Sequence, residues 1–541
     1  MEYAIVDLFA GPGGLGEGFS AFRAEDGGHP FRIKLSIERD PAAHETLLLR
    51  SFLRQFSGSF PDEYYDFISR ECAEPEWRKL YPDQWRAAET EAVQLELGNA
   101  ESRELLAESL DRIREEYGDR IIVIGGPPCQ AYSLVGRVRN SGNLGYEASK
   151  DGRYFLYQEY AAIVGRLKPA AFIMENVKGI LSAKLNDKPV FSEVLKSLRD
   201  AAGPDSYTLS SVGAFRSAKR ASNLEDGREF IIRSELFGVP QCRHRVIVAG
   251  IRRDIAEQQD RVLCSLSASD DAVPTVGQLI SGLPKLRSGL SPARDDSADN
   301  WAKAIAHESL KVERACAEFP HELAWSVSET LKKCRSALTR KPDLPRTSTS
   351  RPRVSKKLSK ELHDWISDPR MRGVSNHQAR GHMKNDLGRY LFAAAFASAV
   401  GRSPKSNEFP VELAPAHKNW KSGKFADRFR VQVHGGPATT VTSHISKDGH
   451  ANIHPDPMQC RSLTVREAAR LQTFPDNYHF KGTRTQQYIQ VGNAVPPFLA
   501  LKIAEVLWRT LDARHKSKKL TASKRRSGET SQDPDAHTVF A

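Results

Sequence analysis

The chain has 541 residues, 40% of them hydrophobic and 27% charged, and its 79 Lys and Arg against 67 Asp and Glu leave a net charge of +12. That composition excludes collagen-like, largely disordered and membrane classes, and the length suffices for several domains and a full enzyme core. The excess charge is concentrated: residues 331–360 hold eleven Lys and Arg against the single acid Asp343, and 514–526 hold seven against none. The remainder is slightly acidic, as expected when a polyanion is met at particular surfaces.

The N-terminal half alternates short β-branched runs with longer amphipathic stretches, which predicts an α/β fold with a mostly parallel sheet covered by helices. Expected strands are Ala4–Phe9, Ile33–Ile37, Ile121–Ile124, Ala171–Met174 and Val246–Ile251. Helices are expected over Arg103–Glu116, Phe155–Arg166 and Val190–Asp200, and about 50–97 reads as a helical insertion. Near 252 the alternation gives way to Ser, Pro, Asp and Arg, which predicts a domain boundary. A helix with a capping signal starts at Ser462-Leu-Thr-Val-Arg-Glu, and a last helix covers Pro497–Leu511, followed by a disordered basic tail over 512–541. The expected units are thus 1–251, 252–460 and 461–511, the last completing the first.

The longest apolar run, Leu391–Val400, is far short of the roughly 20 residues of a spanning helix and reads as buried. Met1-Glu2 leads directly into a strand without a secretory leader. Seven cysteines without a C-x-x-C predict neither a disulfide framework nor a zinc ribbon, and point to a reducing cytoplasm.

Strand Ala4–Phe9 runs into Gly11-Pro-Gly13-Gly14-Leu-Gly16, with Glu38 closing the second strand. Glycines let such a turn approach a nucleotide-type cofactor, and an acid after strand two receives ribose hydroxyls. Both NAD and S-adenosylmethionine fit this signal. Strand Ile121–Ile124 ends in Gly125-Gly126-Pro127-Pro128-Cys129-Gln130, which holds a thiol at the strand end where open α/β sheets bind ligands. The next strand ends in Glu175-Asn176-Val177, setting a carboxyl group beside that thiol. A third strand end carries Gln241-Cys242-Arg243-His244-Arg245, where alternation sends Gln241, Arg243 and Arg245 to one face. That face would hydrogen-bond a planar polar ligand, either a base or a carboxylate; the bland alternative is a solvated edge strand.

In this order the blocks resemble the cytosine C5 DNA methyltransferase family, of the bacterial restriction-modification type. Arg466-Glu-Ala-Ala-Arg470-Leu-Gln-Thr-Phe-Pro475-Asp and Gln490-Val-Gly-Asn493-Ala-Val-Pro-Pro497 are similar to that family's closing motifs. The resemblance implies a Rossmann-like, S-adenosylmethionine-dependent catalytic domain with a smaller target-recognition domain, double-stranded DNA as partner, a monomer acting on it, a separate cognate endonuclease, and no metal or membrane. It implies that Phe9, Gly11, Gly13, Gly14 and Pro127 surround the cofactor with Asn493 and Ala494, that Glu38 holds the ribose, and that Asn99 stands where an Asp usually contacts adenine. Gln130, Ser133, Arg137, Arg139 and Gln241 would touch DNA. The glycine-rich stretch 131–153 reads as a lid.

The chemistry needs such groups. A pyrimidine accepts a methyl at C5 only after a thiolate adds at C6, the role expected of Cys129. Its thiol, with an ordinary pKa near 8.5, needs cationic neighbours, expected to be Arg243 and Arg245. Glu175 would hydrogen-bond N3 as charge enters the ring, and the resemblance puts Arg245 on O2. A base stacked in duplex cannot present C6, so it must be flipped out. Segment 252–460 would then read the sequence, its basic stretch touching phosphates, and Gln378–Tyr390 would either lie against DNA or brace the interior. Kept open beside this are a tRNA cytosine methyltransferase and a catalytically silent DNA-binding relative.

Overall fold

The computed structural model describes residues 2–128, 156–185, 187–213, 227–257, 265–340, 344–415, 420 and 428–526. Its main sheet is built from β1 (Tyr3–Leu8), β2 (Phe31–Glu38), β3 (Ala92–Gln94), β4 (Ile121–Gly125), β5 (Ala171–Val177), β6 (Tyr207–Ser211), β7 (Ile231–Arg233) and β8 (His244–Arg252). The order is β3-β2-β1-β4-β5-β8-β6, with β7 also paired to β8. The first five strands run parallel, and β8 lies antiparallel to its neighbours. This is the α/β fold that the sequence predicted. All five expected strands occur, while the short β3, β6 and β7 were not expected.

The strands are apolar almost throughout because both sheet faces are covered. Tyr3, Ile5, Ile122, Ile124, Ile173 and Ile247 belong to one core; Ala4, Val6, Ile121, Val123, Phe172 and Val248 belong to the other. Helices α3 (Ala100–Tyr117), α4 (Leu156–Leu167) and α5 (Val190–Arg199) cover the second face. The first face is covered by α1 (Gly14–Ala21) and by the far end of the chain.

That far end includes α7 (Val465–Leu471), α8 (Arg484–Asn493) and α9 (Pro497–Arg526). Gly18 makes the approach of α1 and α9 possible, since a Cβ there would run into Pro497 O and Leu501 N. Tyr3 meets Trp508 edge-on at 6.4 Å. Helix α9 continues to Arg526, which corrects the disordered tail expected from 512; residues 527–541 lie outside the described residues.

The expected boundary at 252 does not interrupt the packing. Ile255, Leu279, Leu362, Val374, Val441 and Ile445 join the same core as the closing motifs. A separate core forms around Trp301, Leu331, Tyr390, Phe392, Phe409 and Phe429. Its centre is α6 (Lys384–Val400), buried from Asp386 to Ala397 over most positions, so the Asp386–Tyr390 part of the 378–390 segment braces the interior while Gln378 and Met383–Asn385 are exposed. The end of the basic stretch and the helix after it are anchored to the closing motifs. Leu358, Leu362 and Ile366 sit in the closing-motif core, Trp365 Nε1 donates to Thr473 O at 2.7 Å, and Arg470 Nη1 donates to Arg353 O at 3.0 Å.

The 50–97 insertion is helical over Asp62–Ile68, Trp77–Leu80 and Pro82–Glu91. Its small core takes Leu49 and Phe52 from α2 (Pro41–Arg54) and Met371 from the distant segment. Arg370 lies 4.2 Å over the Tyr65 ring, and Tyr65 OH donates to Asp368 at 2.7 Å. The insertion therefore fastens 368–372 to the catalytic half.

Candidate active site

The glycine-rich turn is shaped by left-handed backbone at Phe9 (φ 57°), Gly11 (φ 57°) and Gly13 (φ 94°). Glycine adopts this readily, whereas Phe9 does so at a cost of about 1–3 kcal/mol that the surrounding packing must sustain. Glu38, at the end of β2, accepts Gly11 N–H at 2.8 Å and Asp40 N–H at 2.7 Å, and burial pushes its carboxyl above the ordinary value. Space is open where a Cβ of Gly11 would lie, a cradle that fits a close-lying cofactor. Asp7, on β1 opposite Ser36 of β2, is fully buried, and burial pushes its carboxyl up to about 8.

The distant closing motif completes this turn. A Cβ on Gly14 would fall inside 3.0 Å of Val495 O and 3.4 Å from the Ala494 Cβ, so Asn493–Val495 lies directly on the turn. Tyr478 OH donates to Pro12 O from the same side. Asn99 instead caps α3: its Oδ1 accepts Ser102 N–H at 2.7 Å.

The reaction side is formed by the ends of β4, β5 and β8. Arg245 Nε pairs with Glu175 Oε1 at 2.9 Å, both side chains being only 12–13% exposed. Glu175 reaches over Gly126, where a Cβ would stand 3.0 Å from Oε2. The neighbouring Asn176 Nδ2 donates to Pro127 O at 3.2 Å. This carboxylate–guanidinium pair and this amide clamp thus frame the chain entering Cys129. Cys129, Gln130, Ser133, Arg137 and Arg139 lie outside the described residues.

Two expectations for the Gln241–Arg245 strand need correction. The strand breaks at Arg243: Gln241–Cys242 pairs with Ala438–Thr439, and only His244 onward joins the main sheet. Gln241, expected on DNA, is fully buried. Its amide nitrogen donates to Leu471 O and Gln472 Oε1, both at 3.0 Å, and its oxygen accepts Val441 N–H at 2.8 Å. Arg243, expected beside the thiol, is 2% exposed and donates to Val441 O at 2.9 Å, Gly492 O at 3.2 Å and Asn493 O at 3.5 Å. Buried guanidinium groups seek acceptors, and here backbone carbonyls of the closing segment supply them. Both side chains brace that segment.

Residues that the sequence did not single out reinforce the brace. Gln472 Nε2 donates to Val491 O at 2.7 Å. Arg470 grips Asp476 through two bonds of 2.8 and 2.7 Å, with side chains 0% and 2% exposed. Arg461 grips Glu467 through two bonds of 2.6 Å, while Glu467 also completes the Thr464 capping box. Glu467, Arg470, Gln472 and Asp476 lie inside the quoted motif and Arg461 just before it, but a pattern of Arg and Glu in a helix reads equally as a solvated face.

Among the described residues no cluster of three or more His, Cys, Asp or Glu could hold a metal ion, and no helix is long and apolar enough to cross a membrane. The model for C-5 cytosine-specific DNA methylases matches residues 108–509. The chain is 34% identical to type II methyltransferase M.Bpa9945I of Bacillus paralicheniformis, over 94% of this chain and all of that protein. It is 27% identical to type II methyltransferase M.AgeI of Thalassovita gelatinovora over 93% of this chain and 98% of that one. It is also 27% identical to DNA (cytosine-5-)-methyltransferase M.ApeKI of Aeropyrum pernix, over 73% of this chain and 82% of that protein. With a family match over most of its length on a site of this construction, the chain belongs to the C-5 cytosine-specific DNA methylases and is a DNA (cytosine-5-)-methyltransferase.

Proposed function

We propose that the chain methylates C5 of a flipped-out cytosine within a specific duplex sequence, through a covalent bond between Cys129 and C6, as the modification enzyme of a restriction-modification system. The names of the type II relatives support the last part and suggest a separate endonuclease as companion. The observation that carries the reading is the Glu175–Arg245 pair at the strand ends beside Gly126-Pro127, with Asn176 holding Pro127. Cys129 adds to C6, and the electron pair displaced from the C5–C6 bond moves toward N3. Glu175, in its acid form, donates a hydrogen bond to N3 and Arg245 donates to O2, lowering the cost of that charge in a site screened from water. The enamine this leaves across C4 and C5 takes the methyl group at C5, and loss of the C5 proton to water re-forms the C5–C6 double bond as the C6–S bond breaks and the Cys129 thiolate leaves.

S-adenosylmethionine supplies an electrophilic methyl group on a sulfonium. Its binders would be the open cradle at Phe9, Gly11, Gly13 and Gly14, Glu38 toward the ribose, Pro127, and Asn493 with Ala494. Asn99 keeps its cap and has its amide nitrogen toward Glu96 O at 3.4 Å. We assign sequence reading to residues within 252–460, around the separate core, with one monomer acting on each site; Gln130, Ser133, Arg137 and Arg139 would meet DNA from the lid.

Bisulfite sequencing of DNA from cells expressing the chain or its Cys129→Ala variant tests this reading. Protection of one short motif by the unaltered chain alone is expected; protection by the variant would overturn the covalent mechanism.

A further inference from the structure

The described residues enclose a cavity of about 290 Å³ that the proposed reaction leaves unused. It lies where helix 62–68, the Ser375–Gln378 turn and the start of α8 converge, and its wall includes Arg70, Gln378, Arg484 and Gln487 beside the apolar Phe67 and Val465. Its two cations lack counter-charges among the described residues. Arg70 Nη1 donates to Thr347 Oγ1 at 3.1 Å, and Arg484 Nη1 donates to Ala379 O at 3.3 Å. Four of the five acids of the adjoining 62–74 stretch are paired elsewhere, Asp62 by Arg370, Asp66 and Glu71 by Arg372, and Glu74 by Lys481, and the fifth, Glu63, accepts Tyr81 OH at 3.0 Å.

More positive charge stands close by. Burial, together with Arg380 and Arg346, pushes the Arg484 guanidinium below its ordinary value. Arg346 is already paired with Asp296 at 2.8 Å, while Arg380 stacks 4.4 Å over Tyr488 and donates to Ile445 O at 2.6 Å. Helix α8 also begins here, so the positive end of its dipole adds to the field. Leaving the half-buried Arg484 guanidinium without a counter-charge, with the exposed Arg70 on the same cavity wall, carries a cost. An anion with several acceptor oxygens would offset that cost through charge-assisted bonds. Thr347, the partner of Arg70, belongs to the basic segment that carries exposed Arg351, Lys356 and Lys357.

We infer that this cavity is a phosphoryl-binding site, filled by a backbone phosphate when the enzyme engages DNA. The inference rests on the DNA-methylating reading only for the source of the phosphate. An anion there would sit at one end of α8, whose other end carries Asn493 onto the cofactor turn.

The test uses the full chain and its Arg70→Gln, Arg484→Gln and Arg484→Lys variants. Thermal unfolding is followed as inorganic phosphate replaces chloride at matched ionic strength, and DNA affinity is measured against salt. Phosphate should raise the melting temperature of the unaltered chain and of Arg484→Lys, but not of the two Gln variants. The slope of log affinity against log salt should fall by about 0.9 for each removed charge. A lost phosphate response with an unchanged slope would keep the site and assign it to a free phosphate compound, overturning the DNA source. A phosphate response equal in all four proteins, or absent from the unaltered chain, would overturn the site. Arg70 is exposed, so its variant answers the question even if Arg484→Gln does not fold. Failure of the methylation reading would show instead as unprotected DNA with the phosphate response intact.

Discussion

Replacing Gly14 by Ala should separate the two halves of the cofactor site. The added Cβ would lie inside 3.0 Å of the Val495 carbonyl oxygen, a backbone atom with no rotamer to change. The closing segment would have to retreat by about half an ångström, and it cannot slide, because Gly18 pins the same segment at Pro497 and Leu501. Overpacking of this kind costs about 1–3 kcal/mol. If most of that falls on the arrangement of Asn493–Val495 against the turn, affinity for S-adenosylmethionine drops about 5- to 150-fold. Gly27→Ala is the control: its φ of 79° strains an alanine, yet nothing lies within 4 Å of the new methyl, so it should weaken the fold by about 1 kcal/mol and leave cofactor binding alone. Calorimetric titration of both variants with S-adenosylmethionine, beside thermal unfolding, provides the comparison. A Gly14→Ala protein that binds cofactor like the unaltered chain and melts at the same temperature would refute the close approach.

Asp476→Ala leaves Arg470 charged and unpaired in the interior, and urea unfolding should show a loss of about 3–5 kcal/mol; a loss below about 1 kcal/mol would mean that the pair is not buried as described. Glu175→Gln should lower kcat/KM for DNA by about 10²–10⁴ while cofactor affinity stays within twofold, measured by methyl transfer to a plasmid; a change under tenfold would remove Glu175 from the mechanism. His377 is fully buried between Thr464 Oγ1 at 2.9 Å and Pro284 O at 2.8 Å, and burial lowers it from 6.5 to about 4. Because the unfolded chain takes up that proton first, its contribution is complete above pH 6.5 and is lost at about 1.4 kcal/mol per unit as pH falls toward 4. The stability gap between the unaltered chain and His377→Gln should therefore shrink by about 2 kcal/mol from pH 7 to pH 5 in urea titrations, and a constant gap would contradict the burial.

The main strands were legible because a covered parallel sheet writes itself as unbroken apolar runs, and the turn Gly11–Gly16 announced its position between a strand and a helix. Glu175 and Arg245 were likewise readable as strand-end residues, and the structure brings them into contact. What misled was alternation applied through Arg243: a backbone hydrogen bond from Arg243 N–H to Gln241 O at 2.9 Å bends the chain there, and side-chain direction no longer follows a period of two. The path of the backbone around Arg353 was not legible for another reason: charge in a sequence marks the side chains, while the apolar anchors Leu358, Leu362 and Ile366, within and just after the basic stretch, decide where the backbone lies. No local signal could reveal Tyr478 on Pro12, or the insertion holding Arg370, because such contacts depend on parts of the chain hundreds of residues apart.

The hydroxyl of Tyr478 and the carbonyl of Pro12 are 466 residues apart in the chain. During synthesis the glycine turn therefore leaves the ribosome long before the segment that covers it, and it stays uncovered while the intervening residues fold. A chain cut short anywhere before Ala494 possesses the turn without its cover and should be devoid of activity, not merely weakened.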